Sequence, residues 1–254
     1  MRYPCVPMVV LASAVLISGC VSETREGRRN TTQAVETRLE LGNRYLADGN
    51  RESARRQFMD VLKMDSGAAE AYLGIARVHE ANVEYPEAET NFKKALSKAN
   101  KESRSSIEMA YGEFLWKRKR YKDAAKHFES AGGDYDFRGR SQGLYWHGRC
   151  LSELGDLAKA QGSFQHAINV KPEFGEPYME LADLAFRQRD YINAEQHYEQ
   201  FTKFAKQNPR SLWLGIRLHR VLGHDDKVAS YALVLKNLYG SSDEYLEYQR
   251  LIGQ

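Results

Sequence analysis

Apolar and small residues recur along this chain at a spacing of 34 or 36 residues, and they do so six times. Ala54, Ala88, Ala124, Ala160, Ala194 and, more weakly, Val228 mark the register. Four positions after each mark stand Phe58, Phe92, Phe128, Phe164, Tyr198 and Ala232. Seven positions after it stand Val61, Ala95, Ala131, Ala167, Phe201 and Leu235, and these offsets share one face of a helix. Twelve or thirteen positions before it lie Leu41-Gly42, Ile75-Ala76, Tyr111-Gly112, His147-Gly148 and Leu181-Ala182. A unit of this length holds two helices of three to four turns each and two short turns. Where the side chain is almost absent, at Gly42, Ala76, Gly112, Gly148 and Ala182, the second helix of a pair can approach the first closely. The large residue four places after the mark then fills the space beside that contact. Neither helix can bury its apolar stripe alone, so stacked pairs must share one core.

The punctuation agrees with this reading. Asp48-Gly49-Asn50 and Leu154-Gly155-Asp156 are breaker clusters between the helices of the first and fourth units. Pro86, Pro172, Pro177 and Pro209 fall in predicted turns or first helical turns, where a missing N–H costs little. No stretch alternates apolar and polar residues well enough to predict a strand. The units run over about 35–68, 69–104, 105–140, 141–174, 175–208 and 209–240 without a domain break; the widest interruption is the glycine-rich loop 132–140. A capping helix is expected within 241–254, with Ser242 at its N-cap and Tyr245, Leu246, Tyr248 and Leu251 on its apolar face. Stacked arrays need such an end for solubility.

The marked positions resemble the tetratricopeptide (TPR) pattern. That resemblance implies an all-α solenoid, a right-handed superhelix of about six helix–turn–helix repeats, which binds proteins rather than catalysing reactions. It also implies that the first helices line a concave groove, chiefly through their second, fifth, ninth, twelfth and thirteenth residues. The fifth positions are then Leu39, Leu73, Met109, Tyr145, Met179 and Trp213, all apolar or aromatic, and twelfth positions add Leu46, Trp116 and Phe186. Ninth positions carry Arg77, Glu113, Arg149, Asp183 and Arg217, of mixed sign. TPR clamps for a terminal carboxylate use lysine and asparagine at these places, so an apolar groove is expected instead. Burying six such side chains against a partner would contribute about 9–18 kcal/mol gross, set against association costs of about 4–15 kcal/mol.

The N-terminus changes the picture. Arg2 precedes an apolar run from Met8 to Ile17, too short to cross a hydrocarbon layer that needs roughly 20 residues. A short positive segment, a short apolar segment and a small-residue exit describe a signal peptide over 1–19. Leu16-Ile17-Ser18-Gly19-Cys20 resembles the bacterial lipobox, which implies a mature chain beginning at an acylated Cys20. Several acyl chains hold a protein stably on a membrane. Val21 stands where an aspartate would retain a lipoprotein at the inner membrane, so the outer membrane, facing the periplasm of a Gram-negative cell, is the expected address. Residues 20–33 hold the acylated cysteine and a polar tether, 21–33, which reaches at most ~45 Å when extended.

Composition excludes more than it suggests. A formal net charge of +3 implies no strongly basic face, so no nucleic acid is expected. Of three cysteines, Cys5 falls in the signal segment, Cys20 is the acylation site and Cys150 stands alone, so no disulfide framework exists. The seven histidines include His79 and His219 at one register and His127 and His197 at another, which reads as packing or solvated faces. There is no H-E-x-x-H, no C-x-x-C and no phosphate-cradling glycine loop. Asp134 and Asp136 read as soluble turn residues, and Lys117-Arg118-Lys119-Arg120 as favourable charge at a helix terminus. No catalytic residue, cofactor, metal or small-molecule substrate is expected.

Three strings carry a closer resemblance: YGEFLWKRKRYKDAAKHF (111–128), LADLAFRQRDYINAEQHY (181–198) and RSLWLGIRLHRVLGHDDKVASYALVLKNLYGSSDEY (210–245). They are similar to the PilF/PilW family of type IV pilus biogenesis lipoproteins, and the last exceeds what ordinary TPR spacing demands. Gly240-Ser241 departs from the family's expected proline and touches only a turn. The resemblance implies a pilotin that binds secretin subunits of the PilQ type and promotes their outer-membrane localisation and assembly. The competing expectation is a TPR lipoprotein adaptor for peptidoglycan hydrolases or outer-membrane protein assembly, which would share the lipobox and repeats but not the 210–245 string.

Overall fold

The computed structural model describes the backbone of residues 20–253 and the side-chain surroundings from residue 30 onward. The predicted signal segment 1–19 and the Cys20 side chain lie outside the described residues. Among those residues there are thirteen helices and no strand: α1 (Cys20–Ala47), α2 (Arg51–Met64), α3 (Ala69–Ala81), α4 (Tyr85–Lys98), α5 (Lys101–Lys117), α6 (Tyr121–Gly133), α7 (Arg140–Glu153), α8 (Leu157–Val170), α9 (Gly175–Arg187), α10 (Tyr191–Phe204), α11 (Pro209–Leu222), α12 (Asp225–Tyr239) and α13 (Asp243–Ile252).

The marked positions form the core. Ala54, Ala88, Ala124, Ala160 and Ala194, with Phe58, Phe92, Phe128, Phe164 and Tyr198 four places on, are all 0% exposed. The reason the preceding helix carries glycine is visible in the packing. A Cβ on Gly148 would lie 2.6 Å from the Phe164 ring, and one on Gly112 would lie 2.8 Å from the Phe128 ring.

Each antiparallel pair turns through one left-handed residue, five places before the register mark. Gly49, Gly155 and Gly223 serve three pairs, and Val83, Lys119 and Arg189 serve the others at φ 66, 57 and 63°. A β-branched residue is strained there, at a cost of about 1–2 kcal/mol. Val83 is 65% exposed, so nothing in its packing repays that strain. Val83→Asn is therefore expected to stabilise the protein by about 1 kcal/mol, read as a higher urea midpoint at unchanged slope; an unchanged or lower midpoint counts against it.

The described residues group into two compact units, one up to Lys98 and one from Ala99 onward. In the first, α1 packs on α2, α2 on α3 and α3 on α4, with Phe58, Val61, Ile75 and Val78 buried between them. In the second, α5 to α12 stack pair on pair, and α13 packs against α11 and α12. The glycine-rich loop, expected to be the widest interruption, lies inside this second unit. Its ends are knitted together because a Cβ on Gly143 would stand only 2.7 Å from the Gly132 nitrogen: α6 and α7 meet backbone to backbone. Asp134 accepts from the Ser105 hydroxyl and from the Asp136 N–H, and Asp136 pairs with Lys101 at 2.9 Å. These contacts tie the loop to α5.

Two expectations about helix limits differ from the structure. The segment 20–33, read as an acylated cysteine and an irregular tether, is helical and continuous with the first repeat helix as α1. It holds no proline, and once a helix is nucleated each added residue gains a hydrogen bond. Fourteen helical residues span about 21 Å rather than ~45 Å. The third unit begins near Lys101 rather than 105, because the Asn100 side chain accepts from the Ser103 N–H and starts α5 there. At the far end, Ser242 caps α13 by accepting from the Tyr245 N–H, and Tyr245 and Tyr248 pack on the Leu212–Leu235 cluster.

Candidate partner-binding surface

The nine groove residues expected from the sequence fall into two groups. Leu39, Leu46 and Leu73 belong to the first unit and are half-buried; Leu39 and Leu46 pack directly on its core. In the second unit Met109, Trp116, Phe186 and Trp213 are half-buried, whereas Tyr145 and Met179 are buried at 9% and 5% exposure. A continuous greasy stripe of six fifth-position side chains is thus not what the structure presents. Tyr145 belongs to the Phe164 cluster and Met179 to the Tyr198 cluster, because a first-helix residue at this position also faces the next pair. Their apolar area is already spent on folding, and the gross binding gain expected from six side chains is correspondingly reduced.

Arginines and carboxylates cover the second unit's remaining aromatic surface. Arg210, the second residue of α11, makes a fork-on-fork pair with Glu180 of α9, both N–O distances being 2.8 Å. It also reaches Asp183 at 3.5 Å. Arg149 of α7 approaches Glu180 at 3.5 Å and donates to the Tyr145 hydroxyl at 3.0 Å. Arg187 pairs with Asp183 at 2.7 Å. Glu180 and Asp183 are buried, and bidentate arginine pairing is what keeps buried carboxylates tolerable. The hydrogen bonds that Arg210 donates to Glu180 raise its guanidinium above the ordinary pKa. Arg149 also lies over the Trp116 ring at 5.2 Å and the Trp146 ring at 5.7 Å.

Arg217 stands apart from this network. Its guanidinium lies 5.0 Å from the centre of the Phe186 ring and 5.4 Å from that of Trp213. Its Nε is buried without a hydrogen-bond partner, and burial lowers its pKa. Met179, Trp213 and Arg217 line a cleft of about 220 Å³ between α9, α11 and α13, whose far rim carries Asp243, Glu244 and Glu247 of the capping helix. A neighbouring cleft of about 400 Å³ shares Asp183, Arg187 and Arg210 and extends to Arg149 and Leu157. Together they form a band of aromatic rings, carboxylate-paired arginines and one unsatisfied donor, suited to a segment that brings an apolar anchor and a carbonyl.

The sequence reading named Arg149, Asp183 and Arg217 as ninth positions but missed Glu180 and Arg210. Arg210 was findable, since it occupies a second position. Glu180 was not, because its role depends on a partner thirty residues away.

Comparisons with known proteins fit this architecture. The tetratricopeptide-repeat family signature matches residues 39–106, 84–136 and 147–209. The type IV pilus assembly protein PilF of Pseudomonas aeruginosa (strain PAO1) is 32% identical over 245 residues, 95% of this chain and 96% of the relative. A solved structure from the functional characterisation of P. aeruginosa PilF superposes with a TM-score of 0.79 at 32% identity, covering 87% of this chain and 99% of that one. The crystal structure of PilW, a widely conserved type IV pilus biogenesis factor, superposes with a TM-score of 0.70 at 21% identity, covering 85% and 99%, and shares the fold. Pattern, helix pairing and whole-length similarity converge: the chain is an all-α TPR solenoid and belongs to the family of the type IV pilus assembly protein PilF.

Proposed function

We propose that this chain is an outer-membrane lipoprotein of type IV pilus biogenesis, a pilotin that holds secretin subunits and promotes their assembly at the outer membrane. The observation that carries the reading is similarity to PilF along 95% of the chain. The lipobox-like Leu16-Ile17-Ser18-Gly19-Cys20 supports an acyl anchor at Cys20. The helical start of α1 supports a short, stiff spacer between lipid and repeats. The band formed by α7, α9, α11 and α13 is the seat for the partner. No bond is made or broken; the physical work is concentration. A subunit gripped by a lipid-anchored array is confined near one leaflet, which raises its encounter rate with other subunits there.

Cys20→Ala tests this directly. The variant should fold, remain in the periplasm unanchored, and lower the amount of multimeric secretin in the outer-membrane fraction by on the order of tenfold or more. Secretin multimers fractionating at wild-type level in that strain would remove the pilotin role. A deletion strain should also lose twitching motility.

A further inference from the structure

At one edge of the second unit, three ligand-type atoms from three helical segments converge. Nδ1 of His219, in the last turn of α11, lies 3.2 Å from Nδ1 of His224, at the N-cap of α12. The Glu195 carboxylate, from α10, places Oε1 at 3.6 Å from the first ring nitrogen and 3.4 Å from the second. Ligands about 2.0–2.1 Å from a tetrahedral zinc ion are separated from one another by about 3.4 Å. The three observed edges straddle that value.

The chain is arranged to bring these atoms together. Gly223, at φ 75°, reverses the backbone between α11 and α12, and the His224 N–H donates to the His219 carbonyl at 2.9 Å. Among the equivalent N-cap positions, Asn50, Asp156 and Asp190 accept from the helix through their side chains, and Arg120 does not. His224 makes no such cap bond; its ring turns instead toward His219. The same turn in the second repeat joins His79 to Glu84, so a carboxylate there is replaced here by a second imidazole, and the acid comes from the neighbouring repeat. The buried His219 ring is held in place by Tyr231, stacked at 5.5 Å, and Tyr198, edge-on at 6.1 Å.

We propose that Glu195, His219 and His224 bind one divalent transition-metal ion, zinc foremost, clamping α10, α11 and α12 with the fourth coordination position open. Two imidazoles and a carboxylate suit such an ion rather than calcium or magnesium. The competing cation is Lys227, 3.1 Å from Glu195 and 3.9 Å from Glu199. Its side chain is 39% exposed, so it can swing to Glu199 when a metal takes Glu195.

Calorimetric titration of zinc into the tag-free, chelator-treated full chain should show one ion per chain, and zinc should raise the thermal midpoint by mass action. His224→Ala and Glu195→Gln should each weaken zinc at least ~10-fold, and Lys227→Ala should tighten it by removing the opposing charge. Glu195→Gln keeps shape and volume, so the test survives if His224→Ala disturbs the turn. No stoichiometric uptake by the wild-type chain, or unchanged affinity in both ligand variants, overturns the site.

Discussion

Phe164→Ala should destabilise the second unit by about 3–5 kcal/mol, the range for emptying a fully enclosed aromatic site. The ring is 0% exposed, pressed against Gly148 on α7 and packed against Tyr145 with ring centres 6.0 Å apart. On the Gly148 side the cavity would be walled by the α7 backbone, which yields little. Phe204→Ala is the matched control: that side chain is 44% exposed and stacks on Tyr178 at 6.1 Å, so it should cost under about 1 kcal/mol. Urea unfolding followed by helical circular dichroism reads both. In repeat arrays stability is a sum of units and interfaces, so the Phe164 variant should also broaden the transition as the second unit melts ahead of the rest. A midpoint indistinguishable from wild type would show that the register residues do not carry the fold.

The second large effect concerns binding. Under the proposed pilotin role, Trp213→Glu should weaken capture of purified secretin subunits by about 2–4 kcal/mol, roughly 30- to 1,000-fold, the range for losing a central aromatic anchor. Trp213 and Phe186 are the rings that flank Arg217, the side chain whose Nε the fold leaves unpaired. Arg217→Met keeps the apolar stem between the rings and removes the donor, so its deficit isolates the polar share of the grip. Trp213 also packs on the Leu212–Leu235 cluster, so the helical signal and thermal midpoint of each variant must be read alongside affinity. Met109→Glu probes the α5 end of the second unit in the same assay. Wild-type binding by both Trp213→Glu and Arg217→Met would place the partner elsewhere.

Particular residues show how far the sequence could be read. The alanine marks, the aromatic four places on and the glycine opposite are set by contacts between helices adjacent in the chain. Their spacing therefore repeats, and Phe58, Phe92, Phe128 and Phe164 were identifiable as core without coordinates. The capping role of Ser242 was legible for the same reason, since its partner, the Tyr245 N–H, is three residues away. Tyr145 and Met179 were assigned to an open surface and are buried, because the same helix position can face a partner or the next repeat. His219 was read as a packing residue. Nothing in its register reveals that Gly223 folds His224 back on it, or that α10 supplies Glu195 beside both.

Local spacing by itself determined that the described repeats are helical, that the helices pair, and which faces they bury; the N-terminal string by itself made Cys20 the expected acylation site. Only the folded stack decided the rest: which arginine neutralises Glu180, which donor is left unpaired over the cleft, and which two histidines meet a carboxylate. Those pairings join helices thirty or so residues apart. They depend on rotamers and on the angle between neighbouring pairs, and a linear pattern of apolar residues encodes neither.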